Sequence, residues 1–152
     1  MNTPLVIEAL NKAVSLEHAA CIQYKQHALL VRGLWRKVFA DFLYEESRSA
    51  QEHAYKFGQK IVALGGIPTI DVGAPVRQSL DLVEMLQQDL EMERQAKEAY
   101  EEALVLCQDD TALRVMLEDQ IKSEQDDIEE LEIYLEMVQT QAVEPSLELQ
   151  VV

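Results

Sequence analysis

Apolar residues recur along this chain in steps of three and four, the interval that places them on one face of an α-helix. The first stripe reads Ile7, Leu10, Val14, Glu17, Cys21, Tyr24, Ala28, Val31. The second reads Phe39, Phe42 or Leu43, Glu46, Ala50, His53, Phe57, Ile61, Leu64. A third runs Leu82, Leu86, Leu90, Glu93, Ala96 or Lys97, Tyr100, Leu104, and a fourth Leu113, Leu117, Ile121, Glu124, Ile128, Leu131, Leu135, Val138. The pattern predicts four helices, over about 4–31, 34–64, 79–106 and 110–139, and therefore an all-α bundle. Thr3 suits the N-cap of the first helix and Pro4 its first turn, where a missing N–H costs nothing. Gly33 interrupts the first pattern, Gly65-Gly66 ends the second, and Asp109 or Asp110 suits the cap of the fourth.

The segment from Gly65 to Gln78 holds Gly66, Pro68, Gly73 and Pro75 and reads as non-helical. It is too long for a tight helix–helix turn. At about 3.3 Å per residue it spans roughly 46 Å, whereas a helix over 4–31 is about 42 Å long. The linker therefore reaches from one end of the bundle to the other. The second and third helices are expected to run parallel, in a bundle with one long crossover.

Each stripe carries, near its middle, a residue able to bind metal: Glu17, His53, Glu93 and Glu124. A buried charge without a partner costs several kcal/mol, on the order of 3–5. One such residue per helix, in roughly one layer, points to a shared partner. Asp127 follows Glu124 by three residues and lies on the same side of the fourth helix. A site of four carboxylates and one imidazole suits iron or manganese better than structural zinc. Taken singly, each Glu is also compatible with a stripe edge, and a lone core His more often makes a hydrogen bond than ligates. Tyr24 reads either as a core tyrosine or as a redox-active neighbour of Glu17; His18 points elsewhere, and His27 sits at the stripe margin.

Composition narrows the partners. The 152 residues fit a single domain over 1–152, and 48% apolar residues supply its core. No apolar run of about 18 residues is present, so no membrane span is expected. The first residues carry no basic patch ahead of an apolar run, so no secretory signal is expected. A net charge of −15 opposes nucleic acid and favours cations. Cys21 and Cys107 form no CxxC pair and are read as reduced thiols of a cytoplasmic protein.

Several segments resemble the ferritin superfamily, and bacterioferritin most. They are Gln23-Tyr24 with His27-Ala28 and Trp35, then Tyr44-Glu45-Glu46-Ser47, His53-Ala54, Lys60-Ile61 and Leu64 to Pro68. The resemblance covers nearly all of residues 5–139 and implies a ferritin-like bundle that oxidises Fe(II) for storage or detoxification. It places Glu17, His53, Glu93 and Glu124 on di-iron ligand positions, with Glu124 as a bridge and Asp127 where the family has a histidine. It also marks departures. The family's other bridging Glu is replaced by Ala50, and its haem methionine by Gln51, so non-haem iron (or Mn or Zn) is expected and haem is not. Glu46, one turn before Ala50 on the same face, is within reach of the weakened second position. Glu17 and His53 are expected to hold one ion, Glu93 and Asp127 the other, with Glu124 between. The partners implied are Fe(II), an oxidant and further copies of the chain. The short tail over 143–152 leaves little for a fifth helix, so a dimer at least is implied and a closed cage is left open. Two alternatives stand beside this reading: a structural bundle with a degenerate site, and a small di-metal oxidase or peroxidase without storage.

Overall fold

The computed structural model describes residues 1–143, and the expectations for the tail beyond Val143 fall outside the described residues. Four long helices account for most of it: α1 Thr3–Leu30, α2 Arg36–Ala63, α3 Leu82–Leu106 and α4 Thr111–Val143, with one 3-10 turn over Gly33–Trp35. The fold is the all-α four-helix bundle expected, with no strand among the described residues.

The boundaries move by local chemistry. Asn2, not Thr3, caps α1, accepting the Leu5 N–H at 3.3 Å and leaving Thr3 inside the helix. Arg36 begins α2 two residues late because Gly33, at φ 72°, feeds the 3-10 turn first. Asp81 caps α3 by accepting the Glu84 N–H at 3.2 Å, so this helix starts at Leu82 rather than Ser79. Ser79 instead joins the cap, accepting from Asp81 N and donating to Glu84. Asp110 caps α4 through Leu113 N at 3.0 Å, and that helix runs on past 139 to Val143.

Helix direction follows from which residues meet. Lys12 pairs with Glu102 and Gln23 with Asp89, so α1 and α3 are antiparallel. Ser47 bonds to Cys21, and the Gly66 backbone packs on Ile7, so α1 and α2 are antiparallel as well. Hence α2 and α3 are parallel, and residues 64–81 must travel the bundle's length. The exit from α2 is a Schellman turn: Gly66 N donates to Ile61 O and Gly65 N to Val62 O, both at 2.9 Å, with Gly65 at φ 86°. The strap then follows α1 turn by turn. Thr69 N donates to Asn11, Gly73 N to the Ser15 carbonyl and Arg77 N to Gln23. Only glycine fits at 73, because a Cβ there would lie 2.1 Å from Ser15 Oγ and 3.1 Å from its backbone carbon.

The core is two apolar clusters stacked along the bundle axis. One gathers Leu10, Phe57, Ile61, Tyr100, Leu113 and Leu117. The other gathers Tyr24, Phe39, Leu43, Leu86, Ile128 and Leu131. Each fully buried aliphatic or aromatic side chain contributes about 1.5–3 kcal/mol relative to exposure. Between the clusters lies a polar layer.

Candidate metal centre

The layer exists because helical periodicity carries each stripe through it. Glu17 sits seven residues after Leu10 and seven before Tyr24, two turns from each. Glu93 and Glu124 occupy the same level of α3 and α4, and all three carboxylates are buried. His53, on α2, is half-buried.

The ligand-capable atoms fall into two groups. Glu17, His53 and Glu124 each offer one atom within 4.8 Å of the others, and so do Glu46, Glu93 and Asp127. In the first group His53 Nδ1 lies 3.4 Å from Glu17 Oε1 and 3.5 Å from Glu124 Oε1. The second group contains no nitrogen ligand. Glu93 and Asp127, expected together, gather with Glu46, which lies one turn before Ala50 on α2. Glu124 also neighbours Glu93 and, after burial, raises its carboxyl further.

Donors hold this layer in place. Tyr100 Oη donates to Glu17 Oε1 at 2.6 Å, and Tyr24 Oη to Glu93 Oε1 at 2.5 Å. Gln120 Nε2 donates to Glu124 Oε1 at 2.6 Å and receives Lys56 Nζ on its own oxygen at 2.6 Å. Fixing ligand oxygens from behind is the work of outer-shell partners in metal sites.

The electrostatics are those of crowded anions. Burial, Asp127 and Glu93 push Glu46 up to about 8. Burial and neighbouring carboxylates push Glu124 up to about 8 and Asp127 to about 6. Glu93 rises well above the usual carboxylate range, first by burial and then by Glu124. Burial lowers His53, but the Glu17 carboxylate beside it raises it by more. In the metal-free protein, protons held on these groups offset the crowding that a cation would relieve. Five carboxylates and an imidazole drawn from four helices are a donor set that fits one or two divalent first-row ions.

A second buried polar cluster went unseen in the sequence. His27, expected at a stripe margin, is fully buried, with Nδ1 2.9 Å from Asp89 and Nε2 3.2 Å from Gln88. Gln23 donates to the same carboxylate at 3.1 Å. Burial pushes Asp89 up, and His27 and Gln23 hold it back. The spacing of Gln23 and His27 to Tyr24 and Ala28 was a usable signal, since α1 is covered on several sides and margin positions are buried too. His18, by contrast, only donates to the Asp71 carbonyl of the strap at 2.9 Å. Cys21 and Cys107 are both free.

Comparison with known proteins agrees with this architecture. Residues 7–140 match the family model of the ferritin-like domain. A bacterioferritin of Brucella melitensis is 30% identical over 137 residues, covering 89% of this chain and 85% of the relative. One from Mycolicibacterium paratuberculosis is 26% identical over 143 residues, covering 93% and 90%. The crystal structure of a ferritin-like, diiron-carboxylate protein from Bacillus anthracis superposes with a TM-score of 0.82 at 34% identity, over 88% of this chain and 96% of that one.

Proposed function

The chain belongs to the ferritin-like family, and from that premise we propose that it binds Fe(II) between its helices and promotes its oxidation, for iron storage or detoxification. The observation that carries the reading is the pair of triads, Glu17–His53–Glu124 and Glu46–Glu93–Asp127, built around three buried glutamates and carrying an excess of acidic groups. The diiron-carboxylate relative supports the same assignment.

Iron is the substrate here. Oxidation takes one electron from each Fe(II) and passes it to an oxidant such as O₂ or peroxide. The chain's own part is to gather and orient. Glu17, His53 and Glu124 hold one ion, and Glu46, Glu93 and Asp127 the other. Tyr100, Tyr24 and Gln120 keep three ligand oxygens aimed. Entry of a divalent ion displaces the protons that Glu46, Glu93 and Glu124 hold in the metal-free state. The higher oxidation state adds charge, and an anionic, water-poor site favours it. Tyr24, bonded to Glu93, is the redox neighbour.

Self-association has a candidate surface. A groove of about 1110 Å³ runs along α1, α2 and the strap, with Tyr55 70% and Ile70 92% exposed on it. Gln51, at the family's haem-methionine position, also lines it.

The structural-bundle reading has one observation in its favour: among the described residues, every buried side-chain N or O has a hydrogen-bond partner. It requires thermal stability to be indifferent to Fe(II) and Mn(II), whereas a binding site adds stability by mass action. Anaerobic titration of the metal-free protein with Fe(II), followed by O₂, decides between them. Ions bound in fixed stoichiometry and oxidised faster than in buffer support the proposal. No bound ion, or oxidation at the buffer rate, removes it.

A further inference from the structure

Lys56 occupies an unusual place for a lysine. It lies one turn beyond His53 on α2 and sends its ammonium inward to Gln120 Oε1 at 2.6 Å, with Nζ 5.0 Å from the centre of the Phe57 ring. A lysine at a bundle surface ordinarily carries its head group out to water. Gln120 is 1% exposed and sits one turn before Glu124 on α4, where its Nε2 holds Glu124 Oε1 at 2.6 Å. Ammonium, amide and carboxylate thus form a relay across the α2–α4 contact that ends on a ligand oxygen. The ammonium also lies in the field of Glu17 and Asp119. The other triad has no such companion: among the described residues, no Lys or Arg is hydrogen-bonded to Glu46, Glu93 or Asp127, or to Tyr24, which holds Glu93.

We propose that Lys56 is the resident counter-cation of the Glu17–His53–Glu124 triad and that, through Gln120, it limits how tightly that triad takes a divalent cation. The inference rests on the proposed function, since it concerns the same site. A positive charge held beside the triad repels an incoming divalent ion, and its bond to Gln120 polarises the amide that holds Glu124. The two triads are thereby made unequal: one all-oxygen and free of cations, the other with a nitrogen ligand and a competing ammonium.

The test is a Mn(II) titration of the full chain, stripped of metal, with bound and free ion distinguished by electron paramagnetic resonance. Mn(II) reports affinity without oxidation chemistry. Lys56→Met is expected to tighten one class of Mn(II) site by about tenfold or more, from loss of a charge at this range. Lys56→Arg, which keeps the charge, is expected to stay near the parent affinity. In a His53→Ala background the effect of Lys56→Met is expected to vanish. Thermal melts supply the control. Lys56→Met is expected to lower the melting temperature of the metal-free protein while enlarging the rise that Mn(II) produces. An equal drop with and without Mn(II), with unchanged affinity, would show that Lys56 only packs against Phe57 and would overturn the inference. Tightening in both Lys56→Met and Lys56→Arg, or tightening that survives His53→Ala, overturns it too. A parent protein that binds no Mn(II) or Fe(II) removes the proposed function and this inference with it. A parent that binds both ions, with Lys56 variants indistinguishable from it, removes this inference alone.

Discussion

The His27 cluster and the Glu17–Glu124 layer are neighbours on α1 and α3, yet they handle charge differently. In the first, one carboxylate, Asp89, faces one imidazole and two amides, and the donors and acceptors close on one another. In the second, five carboxylates face one imidazole, and the donors that reach them come from two tyrosines and a glutamine. Hydrogen bonds are satisfied in both, but only the first matches each carboxylate with an imidazole. Balance marks a cluster whose work is to lock helices together. Imbalance marks one that waits for a cation, and its metal-free form is held by protons. The same contrast separates the two functional readings, because a degenerate site would be expected to settle into the balanced kind.

The widest gap between the clusters should appear when one carboxylate is removed. Glu124→Ala is expected to weaken Fe(II) and Mn(II) binding by more than about 100-fold, beyond the loss usual for an outer-shell partner. The metal-induced rise in melting temperature should disappear with it. Fixed-stoichiometry iron retained in this variant would sink the site assignment. The same kind of truncation in the balanced cluster should behave oppositely. His27→Ala leaves Asp89 buried without its partner and is expected to cost about 3 kcal/mol of stability, with metal stoichiometry unchanged. Replacing both partners by leucine should recover much of that loss, since a buried pair is worth little against apolar packing of similar volume. If the double variant is no better than the single one, the cluster is held by more than its charge pair.

Acidity sharpens the contrast without mutation. Glu46 and Glu124 are pushed up to about 8 and Asp127 to about 6, so the folded, metal-free protein holds protons that the unfolded chain releases near pH 4. The stability tied to those protons is complete below the unfolded values and is lost as pH rises through about 6 to 8. The metal-free protein should therefore melt lower at pH 8.5 than at pH 5.5, by roughly 5–10 °C for about 2–3 kcal/mol. Saturation with Mn(II) should flatten or reverse that slope, because the ion takes over from the protons. A slope unchanged by metal contradicts a cation site among these residues.

Which parts of this were legible in the sequence follows from the kind of signal each leaves. The stripes gave the helices because burial repeats every three or four residues, and Glu17, Glu93 and Glu124 were visible as breaks in that repeat. The crossover was legible from its length and its Gly and Pro residues, which forced α2 and α3 parallel. What anchors it, Asn11, Ser15 and Gln23, was not, because a polar residue on a helix looks alike whether it meets water or a strap. His27 and Asp89 were missed for a related reason. Each is polar and off the main stripe, and only the meeting of α1 with α3 shows that they face each other. Glu46 was placed on the right face but could not be assigned to a triad, since that depends on which carboxylate α3 and α4 turn toward it. Gln120 and Lys56 carry no periodic mark at all.

The smallest expected effect tests the seam between the two clusters. Tyr24 is fully buried beside His27's turn of α1, yet its hydroxyl donates to Glu93 of the metal layer. Burial first, then Glu93 and Asp89, raise its pKa well above the ordinary value, so the group is held as the neutral phenol and serves as a donor. Tyr24→Phe removes one hydrogen bond to a carboxylate and leaves the ring in place. In the metal-free protein the expected cost is about 1–2 kcal/mol. With iron bound, the stoichiometry should be unchanged, because the hydroxyl aims a ligand oxygen and is not itself among the gathered ligands. Oxidation by O₂ should slow, as expected of a redox neighbour whose phenol has been removed. A rate equal to that of the parent would place Tyr24 with the balanced cluster, as a core tyrosine that happens to touch the site.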